Sequence, residues 1–372
     1  MLKSTNNNKT FLEIEKKVSW LSNYIIHHAN NIRHKEDDLK VGGHQASSAS
    51  VVSILVVLYF KIINKYDRIA IKPHASPVFH AIQYLLDNQN IENLKKFRKL
   101  DGAQAYPSKT KDFCDVDFST GSVGLGGAMT IFSSFTQDFL KENQLLKNKT
   151  SKMISIFGDA ELDEGNIYEA LLEGAKHNLK NCWWIIDYNR QSLDGIVYEK
   201  LFEKIINLFE LMDWNVEILK YGSKLQKLKK SNSGKKILKW IDDCPNDLFS
   251  ALTYQGGEDW RKTLLEEFKK DKETLKLIES FNNEELNELM TNLAGHDIET
   301  LENSFSKHLN SDKPTCFICY TVKGFGLPLA GHKDNHSGIM NNQQFSEYKN
   351  LMNIREGKEW DKIEGLKLNI DQ

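Results

Sequence analysis

The sequence contains few prolines and few cysteines, and neither positive nor negative charge is in clear excess. Its 372 residues include six prolines and five cysteines, and 49 basic side chains nearly balance 51 acidic ones. With 40% hydrophobic and 27% charged residues, the composition excludes a disordered chain, a collagen-like chain and a small disulfide scaffold. It also does not indicate the basic surface of a nucleic-acid-binding protein. We expect two or three domains, or one large α/β domain with insertions.

Long hydrophobic runs are missing as well. The longest, 49–60, has 12 residues and is followed by Lys61, whereas a membrane-spanning helix needs about 20. The first ten residues are polar and contain no apolar stretch of the kind found in signal peptides. We therefore expect a cytoplasmic protein with no membrane partner.

The cysteines are odd in number, and only Cys316 and Cys319 lie close together. This CxxC pair is part of an apolar, β-rich run, 315–322, and no second ligand pair of a zinc site accompanies it. Reduced thiols in the core are the expected state, in agreement with a reducing compartment.

Short runs of β-branched and aromatic residues alternate with helical patterns along the chain. The clearest helix begins near Glu164, where apolar side chains recur with helical spacing. Such alternation predicts an α/β fold with a parallel sheet and helices on both faces. In these sheets ligands bind beyond the carboxyl ends of the strands. The predicted strands are 68–72, 153–157, 182–187, 216–219 and 315–322.

Two regions depart from this alternation. Residues 1–40 have the pattern of an N-terminal helical arm with one apolar face, and residues 223–310 are mostly helical and rich in lysine, glutamate and asparagine. We predict an α/β diphosphate-binding domain over 41–340, in which about 223–310 form a helical insertion outside the sheet. Residues 341–372 would be a C-terminal tail.

The strongest chemical signal follows the predicted strand 153–157. Asp159 stands directly after Gly158, and Asn189 follows the next strand 30 residues later. This spacing would bring both side chains to neighbouring strand ends, where carboxylate and amide oxygens suit a Mg²⁺ ion that also binds phosphate. The alternative is that Asp159 caps a helix and Asn189 forms a turn.

Three further features favour a phosphate-bearing ligand. The run 121–128 opens a helix with small residues, so that backbone can approach a ligand closely. His44 and His74 stand at element ends, and Lys323 follows the last strand, where its charge would suit a phosphate. Each has a simpler explanation: glycines also permit close helix packing, single histidines are usually surface or core residues, and a lysine at a strand end is usually solvated.

The order of these motifs resembles that of the N-terminal half of transketolases and homodimeric pyruvate dehydrogenases, which use thiamine diphosphate and Mg²⁺. The resemblance covers roughly 41–338 and implies the diphosphate-binding domain of that superfamily. The motifs are GGH at 42–44, HASP at 74–77, GSVGLG at 121–126, GDAELD at 158–163, DYNRQSLDG at 187–195, GHD at 295–297 and TVKGFG at 321–326.

Within the superfamily, the motifs AYP at 105–107, QSLDG at 191–195 and AGHD at 294–297 are more similar to pyruvate dehydrogenases. Sugar transketolases usually carry a histidine shortly before the GSxG turn, and 106–110 contains none. The resemblance therefore favours decarboxylation of a 2-oxo acid with acyl transfer. DYNR and the histidine-containing loop 332–336 are transketolase-like, so transfer of a two-carbon ketol unit between sugar phosphates is the alternative.

Carried over residue by residue, the resemblance implies a set of site residues. Asp159, Asn189 and the backbone carbonyl of Gln191 would hold Mg²⁺. His44 and His336 would face the substrate, and Glu164 matches an acidic residue at the subunit interface; these three are the catalytic candidates. The cofactor-binding set is Ser47, His74, Ser122, Val123, Gly124, Leu125, Gly158, Asp159, Ala160, Glu161, Asp187, Asn189 and Lys323. Ala160 replaces a glycine of the family pattern, which is harmless if its φ is negative.

The resemblance also implies a second half. In this superfamily another domain binds the pyrimidine and supplies a catalytic glutamate, whereas only 36 residues follow His336 and show no set of strands. We therefore expect an enzyme that is active with a partner chain carrying the pyrimidine domain, in a heterotetramer with two copies of each chain. The non-enzymatic alternative is a catalytically inactive binding or regulatory relative.

Overall fold

The computed structural model describes residues 2–36, 39–146, 151–192, 195–196 and 201–368. Leu193 and Asp194 of the QSLDG motif lie outside the described residues. In the part that is described, no helix is both long and apolar enough to cross a membrane. All five cysteines are buried, and none is part of a disulfide within the described residues, as predicted.

The central sheet has five strands, all at the predicted places. Its strand order is β1-β2-β3-β7-β6, and each neighbouring pair is parallel. All carboxyl ends therefore lie at one edge of the sheet. The strands are β1 Arg68–Ala70, β2 Met153–Gly158, β3 Cys182–Tyr188, β6 Asn215–Leu219 and β7 Thr315–Tyr320, and a separate antiparallel pair consists of β4 Gln191–Ser192 and β5 Gly195–Ile196.

Helices fill most of the chain between the strands. They are α1 Leu2–His27, α2 Gln45–Ala49, α3 Val52–Val57, α4 Ser76–Leu85, α5 Ile91–Lys95, α6 Leu125–Glu142, α7 Gly165–Lys176, α8 Leu201–Leu211, α9 Ser223–Leu228, α10 Asn232–Asp243, α11 Asn246–Gln255, α12 Gly257–Glu267, α13 Lys272–Glu279, α14 Asn283–Met290, α15 Ile298–Lys307 and α16 Asn342–Leu351. Short 3₁₀ turns lie at Pro73–Ala75, Asp159–Asp163 and Ala294–His296, and π turns at His28–Ile32 and Leu58–Ile62.

Helices cover both faces of the sheet, which confirms the predicted fold class. Alternate side chains of β3 point to opposite faces: Trp183 and Ile185 belong to one apolar cluster, Trp184 and Ile186 to the other. The first cluster includes side chains from α1–α5, α15 and α16, and the second includes side chains from α6–α14. A strand that is buried on both faces has a nearly continuous apolar sequence, and this is why β3 could be predicted from the sequence.

The two regions outside the predicted alternation pack closely on the rest of the protein. Trp20 of α1 is fully buried, and its indole N–H donates a hydrogen bond to the carbonyl of Glu359. Residues 223–310 are mostly helical, but their last helix, α15, packs on the sheet through Leu301 and Phe305. This helix is the crossover that a parallel connection between β6 and β7 requires.

Candidate functional site

Two neighbouring strands end at the same level and bring the predicted metal ligands together. Gly158 of β2 is in register with Asp187 of β3, so the residues that follow both strands emerge side by side. The backbone N–H of Arg190 donates a 2.7 Å hydrogen bond to Oδ2 of Asp159 and ties the two strand ends to each other. Asp159 and Asn189 both line a cavity of about 310 Å³ at this edge of the sheet.

Eleven of the predicted site residues line this cavity. They are Ser47, His74, Val123, Gly158, Asp159, Ala160, Glu161, Glu164, Asn189, Lys323 and His336. Lys72, Pro73 and Asp163 complete the lining. Residues from seven separate parts of the chain therefore meet at one site, and the longest separation along the sequence is almost 290 residues.

Asp159 is a buried carboxylate in a strongly perturbed environment. Burial, together with the negative charge of Asp187, raises its pKa to about 7, although backbone N–H groups and Lys72 act in the opposite direction. Its two oxygens accept hydrogen bonds from the N–H groups of Ala160, at 3.0 Å, and Arg190. The carboxylate is thus fixed in position and is costly to ionise unless a cation is close.

Glu161 connects the strand end to the glycine-containing turn. Its carboxylate accepts hydrogen bonds from the N–H of Gly124, at 2.9 Å, and from that of Gly158, at 3.0 Å. Gly124 has φ +76°, and a Cβ there would lie 2.9 Å from the Cβ of Glu164. Only glycine is compatible with both the backbone conformation and this close approach, so the turn is held against the cavity wall.

The sequence analysis missed Lys72, although it follows β1 at the same edge. Its Nζ lies 2.6 Å from Oδ2 of Asp187, which has no solvent-exposed surface. Asp187 also accepts hydrogen bonds from the hydroxyls of Ser50, at 2.7 Å, and Thr321. Burial alone would raise the pKa of Asp187, but the charge of Lys72 and the hydrogen bonds from Lys72, Ser50 and Thr321 together hold the pKa below its usual value. The sequence did contain one indication of such a role, because Lys72 is the last residue of the predicted strand 68–72.

Three histidines from distant parts of the chain meet beside this pair. The rings of His44 and His74 are stacked with centroids 3.8 Å apart, and His336 lies 5.4 and 5.7 Å from them. Burial lowers the pKa of His44 to about 4 and that of His74 to about 2, so both rings are neutral at pH 7. Although ring nitrogens of all three lie within 4.8 Å of one another, parallel rings direct their lone pairs in parallel, which suits contacts to a ligand better than a shared metal ion.

Lys323 brings a positive charge to the cavity from the end of β7. Its Nζ lies 3.3 Å from Nδ1 of His336, and the residue is 4% exposed. Ser47, from α2, lines the wall near Lys72, whose Nζ lies 3.4 Å from the Ser47 carbonyl. The cavity lining therefore combines basic groups, Lys72 and Lys323, with the acidic groups Asp159 and Glu161.

Among the predicted site residues whose side chains the structure describes, five do not line the cavity. Gly124 and Leu125 lie at the start of α6, behind Val123, and Asp187 is enclosed beneath Lys72. His44 contacts the site through His74. The fifth is Ser122.

Ala160 occupies its position without strain. It is part of the 3₁₀ turn Asp159–Asp163 and is not among the residues with positive φ. The expectation that alanine is harmless here is confirmed, because only a positive φ would have required glycine.

The residues around the cavity fit a magnesium-bound diphosphate. Hard oxygen donors, namely the Asp159 carboxylate and the Asn189 amide, face the same space as the ammonium group of Lys323. His74 has a buried Nδ1 without a hydrogen-bond partner in the described protein, which a ligand oxygen would satisfy. Gly158 adds no side chain between these groups.

Comparison with known proteins agrees with the motif resemblance. Residues 59–239 match the family model described as transketolase, thiamine diphosphate binding domain. Pyruvate dehydrogenase E1 components are similar in sequence: that of Buchnera aphidicola subsp. Schizaphis graminum is 27% identical over 316 residues and that of Escherichia coli K12 is 26% identical. In both comparisons the match covers 82% of this chain and 35% of the relative, so the chain spans about a third of their length.

Solved transketolase structures share the fold. The enzyme from Leishmania mexicana superposes with a TM-score of 0.64 at 16% identity, covering 94% of this chain and 42% of that one. The enzyme from Campylobacter jejuni superposes with a TM-score of 0.61 at 19% identity, covering 92% and 42%. The resemblance predicted from the motifs, to the N-terminal half of such proteins, is confirmed.

Proposed function

Since residues 59–239 match a thiamine diphosphate binding domain, we propose that this chain is the diphosphate-binding subunit of a thiamine-diphosphate enzyme of the pyruvate dehydrogenase type. The observation that carries the proposal is the register of β2 and β3, which brings Asp159 and Asn189 to one cavity that Lys323 also lines. A carboxylate, an amide and a buried ammonium group at one strand edge match the needs of a metal-bound diphosphate.

The roles of the residues follow from their positions. Asp159, Asn189 and the backbone carbonyl of Gln191 would hold Mg²⁺, while Lys323 and His74 would contact the diphosphate. When bound, thiamine diphosphate supplies an electron sink for cleavage of the bond next to a carbonyl group.

Neutral histidines at one end of the cavity are suited to exchange protons with a substrate. His44 and His336 would have this role. Glu164, which is exposed at the start of α7 and lines the cavity, would contact the second half of the site. The buried positive charge of Lys72 would orient the neighbouring Ser47 carbonyl and keep Asp187 ionised.

A 2-oxo acid is the proposed substrate class. The support comes from the sequence relatives, which are pyruvate dehydrogenase E1 components, and from the absence of a histidine in 106–110.

Transfer of a two-carbon unit between sugar phosphates is the second candidate. The cluster of His44, His74 and His336 favours it, because ring nitrogens can bind sugar hydroxyl groups. Pyruvate and xylulose 5-phosphate, supplied separately to the reconstituted enzyme, distinguish the two: consumption of only the sugar phosphate would overturn the 2-oxo acid assignment.

The pyrimidine half would come from a partner chain that docks beside the cavity. An exposed apolar stripe, defined by Phe132, Phe135 and Phe139 of α6 with Tyr168 and Leu172 of α7, lies on two helices that pack against each other. Both helices begin at the cavity, after Val123 and Glu164. Each aromatic side chain is about half exposed, so its burial would contribute roughly 1 kcal/mol. Continuity with the cavity favours the pyrimidine half as the occupant, in an assembly with two copies of each chain.

Direct binding measurements test the cofactor assignment. Calorimetric titration with thiamine diphosphate should show binding that requires Mg²⁺, and Asp159→Asn should weaken it at least tenfold because the ion loses its charged ligand. Asp163→Asn is the matched control, since Asp163 lies in the same 3₁₀ turn and lines the same cavity, and it should bind nearly as tightly as the unaltered protein. Absence of binding even with the pyrimidine-domain chain present would favour the inactive relative.

Reconstitution tests the partner assignment. The chain should decarboxylate pyruvate only after mixing with the polypeptide that carries the pyrimidine half in the same organism. Phe135→Asp should reduce co-elution of the two chains, whereas Leu211→Asp, on α8, changes an equally apolar and even more exposed side chain and should not. Full activity of the chain without a partner would refute the assignment.

A further inference from the structure

Arg190 lies between two of the proposed metal ligands, Asn189 and Gln191, and has an unusual backbone. Its φ is +64°, a left-handed conformation that glycine and asparagine adopt readily and other residues disfavour. Its N–H donates the hydrogen bond to Oδ2 of Asp159. The kink at this residue therefore sets how the loop after β3 meets the carboxylate after β2.

The side chain of Arg190 extends away from the cavity and is enclosed by other parts of the fold. Its guanidinium carbon lies 4.4 Å from the ring centroid of Phe249, on α11, and 5.8 Å from that of Tyr320, on β7. Nη1 is 3.5 Å from Oδ1 of Asn246, the first residue of α11. The whole residue is 7% exposed, so this cation–π contact is desolvated and stronger than one at the surface.

This arrangement is not explained by ion pairing or by the turn alone. Within the described ranges, no carboxylate lies within 4.0 Å of the Arg190 guanidinium. Glycine would adopt the kink without strain and without burying a cation. What arginine adds is a fixed connection from the loop to α11, a helix of the segment 223–310 that does not line the cavity.

We infer that Arg190 is a positioning residue for the metal-binding loop. Its side chain, held by Phe249, fixes the left-handed kink, and the kink in turn aims the N–H at Asp159 and orients Asn189 and the Gln191 carbonyl. Helix α11 thereby controls the geometry of the cation site although it does not contact the cofactor. The inference rests on the proposed Mg²⁺ site and adds to it a function for the helical segment.

Metal affinity, rather than activity, is the quantity to measure. The full chain is titrated with Mn²⁺, in place of Mg²⁺, in the presence of thiamine diphosphate, and free Mn²⁺ is followed by electron paramagnetic resonance. Arg190→Leu should weaken Mn²⁺ binding by about 10- to 100-fold, the usual loss when a group that orients a metal ligand is removed. Arg190→Gly should do the same, because it keeps the kink but loses the contact with α11. Arg190→Lys, which retains a cation over the Phe249 ring, should restore most of the affinity.

Two controls separate positioning from general stability. Phe249→Leu removes the ring and should weaken Mn²⁺ binding in the same direction, with an effect that is not additive with that of Arg190→Leu. Arg261→Leu removes an arginine whose hydrogen bonds in the described part of the chain lie within the helical segment, to Asn283 and the carbonyls of Ile278 and Phe281. It should lower Tm without changing Mn²⁺ affinity.

Three results would overturn the inference. Arg190→Leu could bind Mn²⁺ within twofold of the unaltered protein, or Arg261→Leu could lose as much affinity as Arg190→Leu. The unaltered protein could also fail to bind Mn²⁺ with the cofactor. The last result refutes the metal site, and with it the inference, whereas either of the first two refutes only the role of Arg190.

Discussion

The buried pair of Lys72 and Asp187 offers a stringent test of the electrostatics at the site. Asp187 has no exposed surface and Lys72 is 5% exposed, with 2.6 Å between Nζ and Oδ2. Replacing Lys72 by methionine keeps most of the side-chain volume but removes the charge. Asp187 would then retain the hydrogen bonds from Ser50 and Thr321 and lose its only ion-pair partner in the described structure.

Breaking a buried ion pair from one side is costly because the remaining charge is left in a poorly solvated place. We expect Lys72→Met to lower the free energy of unfolding by about 3–5 kcal/mol. The double variant Lys72→Met, Asp187→Asn should recover at least half of that loss, since it leaves no charge behind. Urea denaturation followed by circular dichroism measures both. Lys224→Met is the control, because Lys224 pairs with Glu288 at the surface, and its loss should be within about 1 kcal/mol.

The pH dependence of stability provides an independent test of this ion pair. In the unaltered protein the pKa of Asp187 is below its usual value, so the pair stabilises the fold above about pH 4 and this stabilisation disappears as the pH falls. In Lys72→Met the carboxyl is buried without its cation, its pKa rises, and the native state then holds a proton that the unfolded state releases. The stability difference between the two proteins should therefore widen from about pH 4 to pH 7. Two results would refute this reasoning: Lys72→Met lowers the free energy of unfolding by less than about 1 kcal/mol at pH 7, or the difference in stability between the two proteins becomes smaller as the pH rises.

Four further predictions concern Asp159 and its neighbours at the cavity. Since the pKa of Asp159 is raised to about 7, Mg²⁺ affinity should fall about tenfold for each pH unit below 7 and level off above it; a flat profile in calorimetric titrations between pH 5.5 and 8 would contradict this. Without metal, the same group should make the protein less stable as pH rises from about 4 to 7, because the native state binds the proton more tightly, and thermal melts with and without Mg²⁺ measure this. Gly124→Ala should lose about 1–2 kcal/mol of stability from the positive φ alone, together with cofactor affinity, as seen in urea denaturation and binding titrations. Ala160→Gly, by contrast, should lower stability by about 0.4–1 kcal/mol through the unfolded chain and leave the affinity unchanged.

The sheet was predictable because its signals are local. Each strand is a short β-branched or aromatic run, and the structure departs from the predicted bounds mainly at β1 and β7, which end two residues before the predicted ends. At those ends the chain already turns towards the cavity, through Lys72 after β1 and Lys323 after β7. The apolar pattern continued there because these segments remain buried, although they no longer pair as strands.

What the sequence could not reveal depends on contacts between distant residues. Lys72 is unremarkable as a strand-end lysine until Asp187 is found beneath it, 115 positions further along the chain. Likewise, the apolar periodicity of α15 does not tell whether it packs on an insertion or on the sheet, and the order β7 before β6 decides that question. The motif resemblance predicted Asp159 and Asn189 as metal ligands. It did not predict a role for Arg190, because the inferred role depends on contact with the Phe249 ring on α11.

The distribution of charge implies that metal and diphosphate bind as one unit. The lysines of the cavity lining are Lys72, which already pairs with Asp187, and Lys323. A polyanion alone would therefore keep most of its charge uncompensated. A dication alone would meet Asp159, whose ionisation is opposed by burial, and a nearby ammonium group. Each ligand supplies the charge that the other lacks, because the cation ionises Asp159 and the anion offsets both the cation and Lys323. Binding of Mg²⁺ and of thiamine diphosphate should therefore be strongly and reciprocally coupled. Equal Mg²⁺ affinities with and without the diphosphate would mean that the acidic and basic groups of the cavity do not act together.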